Sequence, residues 1–144
     1  RTDALQLCLD SVEAIEQEIR YSGRLTGEIV EHLAAAEVYR PLDFYQKMAQ
    51  HSLETGFFDP GAASQSVRDY GKHMRFTEEE LDALARFFQE LGSSDAEGQC
   101  SLCESTESKL RQLLEKRRRE EQPKRKLYGA AGILGALFLA ILMI

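Results

Sequence analysis

"TEEELDALARFFQELGSSDAEGQ", residues 77–99, contains one complete helix and the start of another. Thr77 and Glu80 stand three apart, the spacing of a capping box: the hydroxyl accepts from a forward amide and the carboxylate reaches back. Leu81, Leu84, Phe87, Phe88 and Leu91 follow at steps of three and four and so share one helix face. Gly92 supplies a left-handed stop. Ser94 or Asp95 then caps the next helix, which carries Cys103, Leu110, Leu113 and Leu114.

The same grammar runs toward the N-terminus. Leu5, Cys8, Val12, Ile15 and Ile19 fall at helical spacing, and Gly23 ends that helix. A second helix carries Leu25, Ile29, Val30 and Leu33 and runs into "AAAE". Pro41 suits the first turn of a third, with Leu42, Tyr45, Met48, Ala49 and Leu53 inward and Gly56 as stop. Asp59 and Pro60 open a fourth, holding Val67, Tyr70 and Met74 and weakened by Gly61 and Gly71. Strong strand signals are few and no repeat of fixed period is visible. The expected fold is all-α, a bundle of about six helices.

Beyond residue 110 the charge changes sign. Residues 1–110 carry 10 Lys/Arg against 21 Asp/Glu, a balance of −11, whereas residues 111–126 carry 8 against 3, a balance of +5. Residues 127–144 carry no charge at all. A helix over those 18 residues spans about 27 Å, close to a hydrocarbon core of about 30 Å. A buried core helix would need a domain large enough to hide every face of it, and this one is small. The expected layout is a helical bundle at 1–114, a basic juxtamembrane stalk at 115–126, and a transmembrane helix at 127–144 continuing from the long last helix. Pro123 predicts a kink or break, since it removes one backbone hydrogen bond and crowds the carbonyl of Arg119.

The basic flank comprises Arg117, Arg118, Arg119, Lys124, Arg125 and Lys126. The positive-inside rule keeps it, and the bundle with it, in the cytoplasm, with the C-terminus on the far side. Gly129, Gly132, Ala136 and Ala140 share one face of the span and permit close helix packing in lipid. No signal peptide or membrane span is read at the start of the sequence, which opens on the amphipathic first helix.

Chemistry is scarce. "CSLC" at residues 100–103 has two thiols where a zinc site needs about four ligands, and His32, His51 and His73 are scattered over three helices. Thioredoxin-type redox use needs a βαβ context. Cys103 reads as a small core residue and Cys100 as lying off the core. No Gly-rich phosphate loop and no partnered nucleophile is present, so neither an enzyme nor a cofactor is expected. The acidic body argues against nucleic-acid binding.

Three stretches together resemble the stage III sporulation protein AB family of endospore-forming bacteria. They are "IEQEIRYSGRL" at 15–25, "FFQELGSSDAEGQ" at 87–99, and the terminal "KLYGAAGILGALFLAILMI". The family usually has an N-terminal membrane span and tends to carry a Trp in the middle; here Trp is absent, and Pro123 stands where the family is usually free of Pro. Glu18, Ile19, Tyr21, Leu91, Gly92, Asp95 and Gln99 carry the family motifs.

The resemblance implies a non-enzymatic platform subunit of the secretion-like channel complex between mother cell and forespore, similar to the helical domains of type II secretion and type IV pilus platform proteins. It would sit in the mother-cell membrane around the forespore. Its implied partners are the secretion-type ATPase of that complex, stage III sporulation protein AA, and other stage III sporulation membrane components. A rival reading is a tail-anchored protein whose basic juxtamembrane cluster binds anionic lipid, each cation contributing about 1 kcal/mol.

Overall fold

The computed structural model describes residues 2–121. Six helices follow in chain order: α1 Thr2–Tyr21, α2 Thr26–Ala35, α3 Asp43–Thr55, α4 Pro60–His73, α5 Glu78–Glu90 and α6 Ala96–Glu121. A short 3-10 turn, Glu37–Tyr39, separates α2 from α3. Among the described residues there is no strand.

Local chemistry sets the boundaries. Gly23, Gly56 and Gly92 adopt positive φ at the ends of α1, α3 and α5, where a side chain would strain the backbone. The Asp59 carboxylate accepts from the amides of Gly61 and Ala62, ahead of Pro60 in the first turn of α4. Thr77 Oγ1 accepts from the Glu80 amide while Glu80 Oε1 accepts from the Thr77 amide, completing the capping box. Of the two candidate caps for α6, Asp95 is the one used: Oδ1 accepts from the Gly98 amide at 2.8 Å.

The helices alternate in direction, and each packs on the next: α2 on α3, α3 on α4, α4 on α5 and α5 on α6. α1 closes the bundle by lying antiparallel along α6. Three contacts mark the register: Arg20 with Glu104, Arg111 with Glu13, and Arg118 with Gln6. The residues predicted to face inward on α1 are all buried, Leu5, Cys8, Val12, Ile15 and Ile19 among them. At the centre, Phe44, Tyr45, Tyr70, Phe87 and Phe88 stack edge-on or tilted with ring centroids 4.7–5.8 Å apart. Such pairs add about 0.5–1.5 kcal/mol each beyond their buried area. Tyr45 Oη donates to Ser11 Oγ at 2.7 Å, and Ser11 Oγ donates to the Cys8 carbonyl, so this phenol joins α3 to α1 with no unpaired polar atom.

Several expectations need correction. Pro41 lies in the turn before α3, not in its first turn. Leu42 is non-helical at φ −91° and fully buried, and the Pro41 carbonyl accepts from Tyr70 Oη, which pins the turn to α4. Leu53 is exposed and Ser52 is buried in its place. Ser52 faces α2, where a Cβ on Gly27 would stand 3.1 Å from its Oγ. Leu25 sits at the N-cap of α2, exposed. Cys100, expected off the core, is buried with Cys8 and Cys103.

Across position 114/115 α6 continues unbroken to Glu121. The break expected at Pro123, the cations Lys124, Arg125 and Lys126, the apolar segment 127–144 and its stripe of Gly129, Gly132, Ala136 and Ala140 lie outside the described residues. Among the described residues no helix is long and apolar enough to cross a membrane.

Candidate functional site

The antiparallel register of α1 and α6 gives the bundle two unlike poles. Thr2 and Glu121 lie at one of them, called here the proximal pole. α1 has 20 residues and so separates the poles by about 30 Å. The distal pole gathers the end of α1, the start of α2, the ends of α3 and α5, and the start of α6.

Four large apolar or aromatic side chains stand in solvent at the distal pole: Tyr21 at 76% exposure, Leu25 at 74%, Leu53 at 72% and Phe57 at 60%. Leu25, Leu53 and Phe57, with the half-buried Phe58, line a slot of about 430 Å³ between the start of α2 and the end of α3. Glu28 and Glu31 form its acidic rim. An apolar group of this kind edged by charge is the usual mark of a protein-binding surface.

The sequence-predicted motif residues fall at this pole, most of them as its framework. Glu18 Oε1 bonds His32 Nδ1 at 2.7 Å and lies 3.5 Å from Arg24, tying α1 to α2 and to the loop between them. Ile19 is buried beneath. Leu91 is buried, and Gly92 places its Cα against Thr26, where a Cβ would come 3.1 Å from Oγ1. Gln99 Nε2 donates to the Ser94 carbonyl at 2.9 Å and, with the Asp95 cap, braces the α5–α6 turn. Tyr21 differs from the rest: it is a ring turned to solvent. Leu25 and Leu53 were not legible as surface residues, because their spacing matches the apolar face of a helix, and Phe57 falls in the break before Asp59.

The proximal pole holds the basic end of α6, bound back onto the bundle. Arg117 forms an ion pair with Glu80, Nε to Oε2 at 3.0 Å, with the two side chains only 12% and 3% exposed. Arg117 also donates to the Arg75 carbonyl. Lys116 and Lys109 both contact Glu79 at 3.2 Å and hold its carboxyl below the ordinary value. Arg118 donates to Gln6 Oε1 at 3.3 Å, and Arg119 is exposed.

Midway along the α1–α6 seam the carboxyls of Glu16 and Glu107 face each other, and Glu107 Oε2 is buried without a hydrogen-bond partner. Burial and the neighbouring Glu16 push Glu107 up to about 8, whereas the facing Glu107 carboxyl draws Glu16 down. Burial raises the Cys8 and Cys103 thiols, Cys103 to about 12, which makes them poor nucleophiles at neutral pH. No group of three or more His, Cys, Asp or Glu among the described residues is arranged to hold a metal ion.

The family model described as Stage III sporulation protein AB matches residues 1–144. The chain belongs to the stage III sporulation protein AB family. Membership implies a role in sporulation and a place among other sporulation proteins. No curated protein and no solved structure matches the chain. For this family member the framework of the distal pole is thus built from the same residues that made the family resemblance legible.

Proposed function

We propose that the chain is a non-enzymatic membrane platform subunit of the mother cell–forespore channel complex. Its bundle holds a docking surface in the cytoplasm for the secretion-type ATPase of that complex, stage III sporulation protein AA. The observation that carries this reading is the opposition of the poles. One leads, through the basic end of α6, to an uncharged segment of 18 residues. The other, about 30 Å away along α1, presents Tyr21, Leu25, Leu53 and Phe57 to solvent. A rigid bundle between them transmits load from a docked motor to the membrane. Of the six cations on which the rival reading relies, Arg117 is held by Glu80 and so is drawn away from lipid headgroups.

Photo-crosslinking in sporulating cells tests the proposal. A photoreactive amino acid at Tyr21 or Phe57 is expected to capture the ATPase, and one at exposed Asp69 on the flank is not. Crosslinks to other proteins only, or equal capture from Asp69, would overturn it.

A further inference from the structure

The slot at the distal pole has a chemistry that narrows its occupant. Leu25, Leu53, Phe57 and Phe58 supply its apolar lining, and the charged residues of that lining are Glu28 and Glu31. No cation lines it. The nearest basic residue in sequence, Arg24, pairs with Glu18. Opposing this negative rim are the first amides of α2, whose N-cap is Leu25 and therefore offers no side-chain acceptor. A helix N-terminus carries about +0.5 of a charge, and Glu28 already accepts from the Leu25 amide there. Two carboxylates outweigh it. The balance of −11 over residues 1–110 extends the same sign over the body and favours approach of cations.

We infer that the slot receives a basic amphipathic segment of a partner protein, with an aliphatic or aromatic side chain seated between Leu53 and Phe57 and flanking Lys or Arg side chains meeting Glu28 and Glu31. The inference rests on the reading of this pole as a docking surface, but not on which protein docks there. A volume of about 430 Å³ accommodates a few large side chains and is too small for a domain. A second copy of this chain is disfavoured, because a two-fold contact sets each patch against its own copy and brings like-charged rims together. Anionic lipid is disfavoured by the same sign.

Selection from a phage-displayed library of randomised 16-residue peptides tests this. The bait is the full 144-residue chain in phosphatidylcholine nanodiscs, with the Leu53→Ser/Phe57→Ser variant for counter-selection. Both substitutions fall on exposed side chains, and an unchanged circular-dichroism melt confirms that the fold is kept. Enriched peptides are expected to carry Leu, Ile, Phe or Trp flanked by Lys or Arg. Their binding should fall at least tenfold with Glu28→Gln/Glu31→Gln and with rising salt. Acidic or neutral winners, no enrichment, or binding indifferent to the Glu pair would overturn the inference. So would Leu53-dependent self-association in sedimentation, or Leu53-dependent binding of the chain itself to phosphatidylserine vesicles in the absence of peptide. The crosslinking experiment above is independent: losing the ATPase contact there would sink the platform reading while leaving the peptide result standing.

Discussion

Glu80 is held by two elements at once. Its Oε1 closes the capping box of α5 by accepting from the Thr77 amide, and the same carboxylate pairs with Arg117 from the last turns of α6. Removing one partner of a buried pair leaves an uncompensated charge, so Arg117→Ala should cost about 3–5 kcal/mol in urea unfolding. Replacing both at once, with Glu80→Gln and Arg117→Met, keeps an acceptor for Thr77 and should recover most of that loss. A double variant as unstable as Arg117→Ala alone would show that the aliphatic stem, not the charge, matters. Glu107 makes a different prediction at the same scale. Its folded pKa of about 8 lies above the unfolded carboxylate value of about 4.3, so the folded state holds the proton more tightly. Its stabilisation is complete below the unfolded value and is lost as pH rises toward and through 8. Glu16, drawn down, acts in the opposite sense: its contribution is present above the unfolded value and is lost in acid. Glu107→Gln mimics the protonated form. It should match the parent near pH 5 and exceed it near pH 8.5, as read from urea midpoints at the two pH values; parallel pH profiles would refute the assignment.

Between elements, α4 meets α5 at Gly71. Gly71 lowers the helix propensity of α4, but a Cβ there would lie 1.9 Å from Leu81 Cδ2, and Leu81 is buried. Gly71→Ala gains at most about 1 kcal/mol of propensity and forces an overpacked contact costing about 1–3 kcal/mol. Net destabilisation is expected, and Leu81→Ala in the same chain should make Gly71→Ala harmless or favourable, a coupling that a double-mutant cycle reads directly. α1 and α6 are joined differently, by a buried stripe edged with Arg20–Glu104 and Arg111–Glu13 pairs. These pairs are exposed and contribute about 0–1 kcal/mol each, so they set register more than stability.

Over the whole molecule, the poles divide the work. The proximal pole is closed by ion pairs, and the distal pole is braced by Glu18, Gly92, Asp95 and Gln99 while leaving apolar side chains outside. Substitutions in the two should separate. Tyr21→Ser with Phe57→Ser should leave the unfolding midpoint within about 0.5 kcal/mol of the parent, as for other surface changes, and lower sporulation frequency. Arg117→Ala should shift the midpoint first. A double surface variant that sporulates normally would remove the distal pole from the functional surface.

Much was legible in the sequence because it is local. Helix starts and stops depend on side chains within four residues of the backbone they cap, so Thr77 with Glu80, Asp59 and Asp95 could be read directly. The three positive-φ glycines, Gly23, Gly56 and Gly92, could be read the same way, and with them came the order of six helices and the change in charge beyond residue 110. Tertiary structure alone decided what depends on distance through space. Gly71 became a contact, Arg117 a partner of Glu80 37 residues away, and Glu107 a proton holder opposite Glu16. Ser52 turned inward beside Gly27 and Leu53 outward. Periodicity records which residues share a face; only packing decides how much of that face a neighbouring helix covers.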